Sequence, residues 1–493
     1  AMPDDNGMAF MLVYRGEPDG ERQMAEELAQ HTGMPVALAT DGAKIAPNHI
    51  YVLPALCTAL IADGALRLSD PASGRRLHHP INQFLRALAQ SHGANAVAII
   101  LSGAGSDGAA ALAEVKAHGG IVLVQDPKEA QQDAMPRSAI AMHTADHVLP
   151  VAAMPQVLAG YAQHPFIVSD APPPPFGEKA RAVLPQIIEV LKAHAPIDFS
   201  LYKEGTLLRR IERRMVLRHL IDAEDYLALL RTAPQEAERL CNDFLITVTR
   251  FFRDPAAFQY ISDTVLPAII ANHTSSDPIR IWVPGCASGE EAFSLAMIMI
   301  EQITAIDKDV TFQIFASDVD ARSLEIARAG VYPDTIEADV SATRLKRFFH
   351  KDDHRYRVGR VLRDTVVFTK QNILADAPFA KLDMIACRNV LIYLRPKAQE
   401  LAIAQFHFAL NKGGVLFLGG SETPGNQDAL FGAMSRHTHV YQKQDPVLPR
   451  TAGLTAPHLA AKSMHQRVQS TNEQLETSRE ELQSLNEELI ALN

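Results

Sequence analysis

The sequence has few cysteines, no excess of basic residues and no long apolar run. Its four cysteines lie far apart and form no C-x-x-C pair, so neither a disulfide framework nor a zinc site is indicated. No apolar stretch reaches the roughly 18 residues that cross a bilayer, and the first residues do not resemble a signal peptide. These absences favour a protein of the reducing cytoplasm that does not insert into a membrane.

Positive charge is also scarce. Lysine and arginine number 47 against 57 aspartates and glutamates, which gives a formal net charge of −10. A general binder of nucleic acids or anionic membranes needs a broad basic surface, so this balance argues against that class. His143 and His147 lie four residues apart but have no third ligand nearby in sequence, so no metal site is expected.

The 493 residues exceed one ordinary core and predict about three folded units. In residues 1–165, strand-like runs alternate with helical stretches (10–14, 21–31, 50–53, 81–92, 97–101, 108–118 and 121–124), which predicts a parallel sheet covered by helices. Residues 166–180 contain four consecutive prolines and are interpreted as a stiff linker.

The second half begins with a helical pattern and continues as another α/β series. In residues 181–262, Leu208, Ile211 and Met215 recur at helical spacing. In residues 263–447, strands are predicted at 279–283, 311–316, 366–369, 383–386 and 415–418. The expected fold class is α/β, with two doubly wound parallel-sheet domains separated by an all-helical subdomain.

The carboxyl-terminal residues change character again. Residues 448–463 look like a connector, whereas Val468, Leu475, Leu482 and Leu489 repeat every seven residues. This spacing is typical of a coiled coil and predicts a helix over 464–493 that could pair as a dimer.

The most informative segment runs from Ile279 to Ser294, where a predicted strand leads through a glycine turn into a helix. Gly285 and Gly289 allow the backbone to approach a ligand closely. The loop lacks the G-x-G-x-x-G that receives a pyrophosphate and carries Glu290 and Glu291 instead. Two carboxylates repel phosphate but attract the ammonium or sulfonium group of S-adenosylmethionine (AdoMet). An ordinary strand-to-helix turn is the alternative.

A second element follows about 30 residues later. Asp318 is expected at the carboxyl end of a strand, where an acid can accept both hydroxyls of a ribose, whereas Asp320 is expected to cap the next helix. The glycine loop and Asp318 together predict a Rossmann-like adenosine-binding domain.

Several separated motifs carry a family resemblance. They are Thr249–Asp254, Gly285–Glu291, Ala316–Asp320, Gln371–Ile373, Cys387–Tyr393 and Gly413–Leu418. On these motifs, residues 181–447 resemble the chemoreceptor glutamate methyltransferases of the CheR type. The resemblance implies AdoMet-dependent methylation of a glutamate-bearing chemoreceptor or related signalling protein. It also implies cofactor contacts from Thr247, Thr249, Arg253, Gly285, Glu290, Glu291, Asp318, Asn372, Ile373, Asn389 and Val390. The family often has Asn at the position of Thr247.

The implied chemistry needs no general base, because a glutamate carboxylate is already ionised at pH 7. The task of the enzyme is therefore to align the carboxylate oxygen, the methyl carbon and the sulfur. Arg253 and Tyr393 are the candidates for holding the substrate carboxylate. A structural ion pair for Arg253 and a packed ring for Tyr393 are the alternatives.

A row of arginines precedes the AdoMet motifs. Arg210, Arg214 and Arg218 are four residues apart and therefore share one helix face. In an acidic protein this row is expected to attract a glutamate-rich substrate helix, although a solvated charged face is the alternative. Nucleic-acid binding is not expected, since no N-P-P-Y-type motif for base methylation is present.

Residues 2–165 resemble the chemoreceptor glutamate methylesterases of the CheB type, through Ala98–Gly108, Val124–Pro127 and Met135–Ser138. The resemblance makes Asp107 the acid of a Ser-His-Asp triad. The loop that bears the family's nucleophile is missing, and Arg15 stands where the histidine is expected; arginine is not a base near neutral pH. The sequence thus predicts a cytoplasmic methyltransferase fused to a degenerate methylesterase. A non-catalytic scaffold that binds AdoMet or a partner is the alternative.

Overall fold

The computed structural model describes residues 2–13, 20–54, 57–69, 79–162, 164, 176–195, 197–245, 247–273, 277–425 and 429–445. These residues form two compact units. The first unit draws on residues 1–200, 204–250 and 331–358, and the second on 201–203, 251–330 and the residues from 359 onward.

The amino-terminal part of the first unit alternates strands with helices. Its strands are β1 (Ala9–Val13), β2 (Val36–Leu38), β3 (His49–Leu53), β4 (Thr58–Ala62), β5 (Ala65–Ser69), β6 (Val97–Ile100), β7 (Ile121–Gln125) and β8 (His147–Leu149). Its helices are α1 (Gly20–Ala29), α2 (Pro80–His92), α3 (Leu112–Ala117), α4 (Ala134–Ala141) and α5 (Met154–Ala162). Parallel pairing gives the strand orders β1-β3-β2 and β6-β7-β8, and β4 and β5 form a hairpin. All of β7 is buried, as expected for a parallel strand covered on both faces.

Four helices continue the first unit. They are α6 (Phe176–Lys192), α7 (Glu204–Leu217), α8 (Ala223–Thr232) and α9 (Pro234–Phe244). The predicted apolar spacing is borne out, because Leu208, Ile211 and Met215 of α7 are all buried. Asp222 caps α8, since its carboxylate accepts the amide of Glu224 at 2.8 Å.

The second unit is built on a seven-stranded sheet. Its strands are β9 (Ile279–Pro284), β10 (Phe312–Asp318), β14 (Val366–Lys370), β15 (Leu382–Cys387), β16 (Leu410–Leu418), β17 (Phe431–Ser435) and β18 (Val440–Lys443). Its helices are α10 (Pro255–Tyr260), α11 (Leu266–Asn272), α12 (Glu290–Ile306), α13 (Ala321–Ala329), α15 (Arg360–Arg363) and α16 (Pro396–Ala409), with a π-helical turn at Ile261–Val265.

The strand order β14-β10-β9-β15-β16-β18-β17 explains where a ligand can bind. The first five strands run parallel, and the chain moves outward from β9 in one direction and then returns to continue from β15 in the other. Such a reversal of strand order leaves a crevice at the carboxyl ends of the strands, where open α/β sheets bind their ligands. The core beneath it is anchored by Trp282, whose indole nitrogen donates to the Ser317 hydroxyl at 2.8 Å.

Residues 331–358, here called the β insert, lie in sequence between β10 and β14 but belong to the first unit. They form the antiparallel sheet β11-β13-β12, from β11 (Val331–Pro333), β12 (Phe349–Asp352) and β13 (Arg355–Val358), with α14 (Ala342–Phe348).

The predicted α/β class, the two parallel-sheet regions and the helical subdomain are confirmed. The five strands predicted after residue 275 all occur, as β9, β10, β14, β15 and β16. Most of the linker at 166–180, the connector at 448–463 and the coiled coil at 464–493 lie outside the described residues, although α6 already begins at Phe176. None of the described helices combines the length and hydropathy needed to cross a membrane.

Candidate active site

The glycine loop follows β9 and leads into α12. Gly285 and Gly289 have φ angles of 71° and 95°, which favour glycine. A Cβ atom at Gly285 would lie 2.3 Å from Cγ2 of Val390, so the loop approaches the turn after β15 as closely as only glycine permits. The Gly285 and Cys286 amides donate to the Ser317 carbonyl at 2.7 and 3.0 Å, which ties the loop to β10.

Asp318 ends β10 beside this loop. Its carboxylate accepts the amide of Ala287 at 2.8 Å and that of Asp320 at 2.9 Å. Burial raises the pKa of Asp318, although the hydrogen bonds from these amides oppose that shift. Asp320 has the capping role predicted for it, since its side chain accepts the amide of Arg322 at the start of α13.

The two glutamates of the motif have different partners. Glu290 is buried and accepts the Ser288 hydroxyl at 2.8 and 3.0 Å. Glu291 accepts from Nη1 of Arg388 at 3.3 Å. Burial raises the pKa of Glu291 to about 7; the positive charges of Arg388 and Arg253 oppose this rise, and the negative charge of Glu422 adds to it. Glu291 is therefore expected to titrate near neutral pH.

Arg388 joins the AdoMet motifs to the loop that contains Arg253. Its side chain is 1% exposed, and it donates to Asp254 at 2.5 Å as well as to Glu291. The guanidinium also lies over the rings of Phe258 and Phe417, 5.2 and 4.6 Å from their centroids. Sequence reasoning missed Arg388, although it stands next to Asn389 within a quoted motif.

Glu422 is the second residue that sequence reasoning missed. It is buried, and its carboxylate accepts the amides of Gly419 at 2.7 Å, Asn389 at 2.8 Å and Ile392 at 3.2 Å. These bonds fix the turn after β15, where Asn389 has a φ of 59°. The available signal was an acid two residues after the pair of glycines that follows β16.

The turn after β15 also contains an atom suited to a ligand. Among the described residues, Oδ1 of Asn389 is buried and has no hydrogen-bond partner within the protein. Buried acceptors are nearly always satisfied, so a donor on a bound molecule would complete this one. The residues present therefore suit AdoMet: Asn389 offers an acceptor, Asp318 offers an acid, and the first turn of α12 is acidic.

The remaining predicted cofactor residues have less distinctive surroundings. Asn372 is half-buried, and its side-chain oxygen accepts the amide of Leu374 at 3.0 Å. Ile373 packs against the apolar core beneath the sheet. Thr247 and Thr249 belong to the first unit, where both are half-buried. No observation of the structure tests their cofactor contacts, which stay predictions.

Arg253 and Tyr393, the predicted positioners, both lie in the second unit. Arg253 stands between Phe252 and Asp254, whose φ angles of 49° and 64° mark a sharply turned loop, and the Phe252 amide donates to Ser294 of α12 at 3.0 Å. Tyr393 is half-buried, and its carbonyl accepts the amide of Lys203 at 2.8 Å. Their roles toward a substrate stay predictions.

The predicted arginine docking face requires a correction. Arg210 and Arg214 are each 6% exposed, so they do not form an open surface. Arg210 donates to the carbonyls of Lys116 and Ala117, whereas Arg214 and the half-exposed Arg218 both pair with Glu236. A spacing of four residues shows that side chains share a face but not whether that face meets solvent or another part of the chain.

The acid of the residual esterase triad also forms hydrogen bonds within the protein. Asp107 is 1% exposed, and its carboxylate accepts the amides of Ile81, Asn82 and Gly108 at 3.1, 3.0 and 2.9 Å, so it caps α2. His79, which sequence reasoning missed, has Nδ1 4.0 Å from this carboxylate. Ser106 donates to Asp334. Arg15 lies outside the described residues.

The second unit has the features of an AdoMet-dependent methyltransferase: a switch-point crevice, a glycine loop after the central strand and an acid at the end of the next strand. The family profile "CheR methyltransferase, SAM binding domain" matches residues 247–440, and "CheR methyltransferase, all-alpha domain" matches residues 183–245. The chain belongs to the CheR methyltransferase family, and its residues 1–158 match the profile "CheB methylesterase". The predicted fusion and the predicted cofactor, AdoMet, are thereby confirmed.

Three relatives illustrate the span of the match. The "Chemotaxis protein methyltransferase" of Listeria monocytogenes is 30% identical over 47% of this chain and 87% of its own length. The "Chemotaxis protein methyltransferase 2" of Vibrio cholerae is 31% identical over 48% of this chain and 83% of its own. The "Uncharacterized 104.1 kDa protein in hypE 3'region" of Rhodobacter capsulatus is 36% identical over 87% of this chain and 48% of its own length. The chain therefore spans about half the length of that last relative.

Proposed function

We propose that this chain methylates glutamate side chains of a chemoreceptor or related signalling protein, and that its methylesterase-like region does not hydrolyse the product. The site in the second unit carries the proposal: an acid at Asp318, a carboxylate at Glu291 with a pKa of about 7, and Arg253 close enough to influence that pKa. The family membership gives the reaction class.

Each residue has a role in this proposal. Asp318 accepts the ribose hydroxyls, and the ionised form of Glu291 attracts the ammonium or sulfonium charge of the cofactor. Arg253 and Tyr393 hold the substrate carboxylate in line. When bound, AdoMet supplies a methyl group on a positively charged sulfur.

The transfer balances without an acid or a base. A lone pair of the carboxylate oxygen forms the new bond to carbon, the carbon–sulfur bond breaks, and its electron pair neutralises the sulfur. The protein contributes the alignment of the reacting atoms. It also provides surroundings in which the positive charge on the sulfur is lost as the reaction proceeds.

The test is mass spectrometry of candidate receptors incubated with isotopically labelled AdoMet and the full chain. Labelled glutamate methyl esters are expected, and Tyr393→Phe is expected to slow the transfer while AdoMet still binds in calorimetry. AdoMet binding without transfer to any receptor tested would favour the scaffold alternative. Absence of AdoMet binding would contradict both.

The second half of the proposal has its own test. Incubation of the full chain with a methyl-esterified receptor is expected to release no methanol above background. Clear hydrolysis would show that the region uses a nucleophile other than the one its family employs.

A further inference from the structure

Arg213 is the centre of a buried charge cluster within the first unit. It is 5% exposed, and its Nε donates to the Gly120 carbonyl at 2.9 Å. One terminal nitrogen donates to Asp243 of α9 at 2.9 Å, and the other pairs with Asp146. Gly120 and Asp146 belong to the methylesterase-like region (residues 2–164), whereas Arg213 and Asp243 belong to the helical region (residues 176–245). A single guanidinium therefore bridges the two regions.

Neighbouring cations extend this cluster across the same boundary. Lys116 of α3 lies 3.4 Å from Asp146 and 3.3 Å from Asp243, and Arg210 of α7 donates to the Ala117 carbonyl at 2.5 Å. Although burial opposes it, the positive charges of Lys116, Arg213 and Arg214 lower the pKa of Asp243 to about 2. Arg213, Asp146 and Asp243 thus each have a partner from the other region, and removing one partner would leave a costly unpaired ion.

An apolar contact lies beside the charges. Val216 of α7 is buried in one cluster with side chains of the methylesterase-like region: Ile121, Leu123, Met154, Leu158 and Tyr161. His164 also contacts the Leu220 carbonyl at 3.1 Å. Apolar burial supplies affinity and the paired charges fix the register, as in a stable protein interface.

A second contact uses the loop that bears the residual esterase acid. Ser106 of this loop is 1% exposed and donates to Asp334 of the β insert. The other oxygen of Asp334 lies 3.2 Å from Nδ1 of His354. The aspartate, rather than the histidine, accepts the serine hydroxyl, which differs from the Ser-His-Asp order of a catalytic triad, and the contact joins the loop to the insert.

We infer that the methylesterase-like region serves as a non-covalent clamp whose partners are the helical region and the β insert of its own chain. Its α3–β7 face binds the arginine-bearing side of α7, and its former catalytic loop binds the insert. The retained fold thereby has a use that does not require esterase activity. This inference does not rest on methyl transfer.

The first experiment separates the two parts after folding. A recognition sequence for a site-specific protease is inserted within residues 166–175 of the full chain, and complete cleavage is verified on a denaturing gel. The fragments are expected to co-elute in size-exclusion chromatography at micromolar concentration. Elution of the fragments as two separate species would overturn the inference of a clamp.

The second experiment removes one buried charge and compares it with an exposed one. Asp146→Asn is expected to weaken the association of the cleaved fragments at least about tenfold, since Arg213 and Lys116 lose a partner. The matched control, Asp133→Asn, changes an aspartate of the same region that is 41% exposed and pairs, among the described residues, with the exposed Arg137, and no change is expected. Equal effects of the two variants would contradict the inference.

A milder variant covers the case in which Asp146→Asn does not fold. Ser106→Ala removes one hydroxyl, and hydrogen exchange is measured on the β insert of the full chain. Faster exchange of residues 331–358, with unchanged exchange in the second unit, is expected. Unchanged exchange in the β insert would show that the loop containing Ser106 does not contribute to the clamp.

Discussion

Asp318 and Asp107 lie at or after the carboxyl end of a parallel strand, and they differ in how far their surroundings leave them open to a ligand. Asp318 ends β10 and is half-buried, next to a turn in which Oδ1 of Asn389 has no partner within the described protein. Asp107 follows β6, is 1% exposed, and its neighbour Ser106 is bonded to Asp334. The two acids are similar in sequence context, so the difference lies in what covers them.

This comparison teaches that an acid retained from a catalytic family is not evidence of catalysis. Asp107 accepts three backbone amides and stabilises the start of α2, which is a sufficient physical reason for an acid at that position. Asp318 also accepts amides, but it lies at the carboxyl end of a strand beside the reversal of strand order, where open α/β sheets bind their ligands.

The largest effect is expected for Gly285→Ala. The new Cβ would lie 2.3 Å from Cγ2 of Val390, at a φ of 71° that side chains rarely adopt. Either the loop or the turn after β15 must move, so AdoMet affinity in calorimetry is expected to fall by about a hundredfold or more. Gly205→Ala is the control: nothing lies within 4 Å of its Cβ position, and this helical site is expected to gain about 0.5–1 kcal/mol of stability. Unchanged affinity in Gly285→Ala would refute the assigned site.

The next effect is expected for Arg388→Met, which removes the cation between Asp254 and Glu291. Breaking a buried ion pair costs about 3–5 kcal/mol, less here because Asp254 is 51% exposed. A lower melting temperature is expected, together with AdoMet binding weakened by about tenfold at pH 7, because Glu291 becomes harder to ionise. Arg388→Lys retains the charge and is expected to retain part of the affinity. If both variants bind AdoMet with the affinity of the unmodified chain, Arg388 stabilises the fold and does not contribute to AdoMet binding.

A smaller effect follows from the pKa of Glu291, which burial raises to about 7. Below pH 7 the carboxyl is mainly protonated and neutral, whereas above pH 7 it is an anion that attracts the positive charges of AdoMet. Affinity is therefore expected to rise between about pH 6 and pH 8. Calorimetry over this range would detect the rise, and Glu291→Gln should flatten it. A slope that persists in Glu291→Gln would assign the titration to another group.

The sequence was sufficient to predict the cofactor, the glycine loop and the acid at the end of β10, because their signals are local. The glycines of the loop and the acid at the end of β10 occupy short, recognisable segments, and the strands around them are long and apolar. Glu422 could not be found in this way: it bonds to Asn389, a residue 33 positions earlier, and only the folded sheet brings the two together. The role of Arg388 likewise becomes visible only in the folded protein, where it pairs with Asp254 and Glu291.

The arginine row shows a different limit. Its periodicity correctly indicated one helix face, but two of its members are buried against other parts of the first unit. A charged face that meets solvent and one that meets buried acids have the same sequence pattern, since partner choice depends on distant residues such as Glu236. The sequence did not predict the β insert, because strands of three or four residues carry little periodic signal.

The smallest effect is expected for Asp107→Ala, and it addresses the other half of the comparison. If Asp107 only caps α2, the change should lower the free energy of unfolding by about 1–2 kcal/mol and leave AdoMet affinity unaltered. Chemical denaturation and calorimetry on the full chain measure the two quantities. Asp133→Asn, on the exposed surface of the same region, is the control and should change neither. A residue that was still catalytic would show the opposite pattern, with little change in the free energy of unfolding and loss of an activity toward methyl esters. The reason is that removing the charge of a catalytic acid tends to stabilise the fold rather than destabilise it.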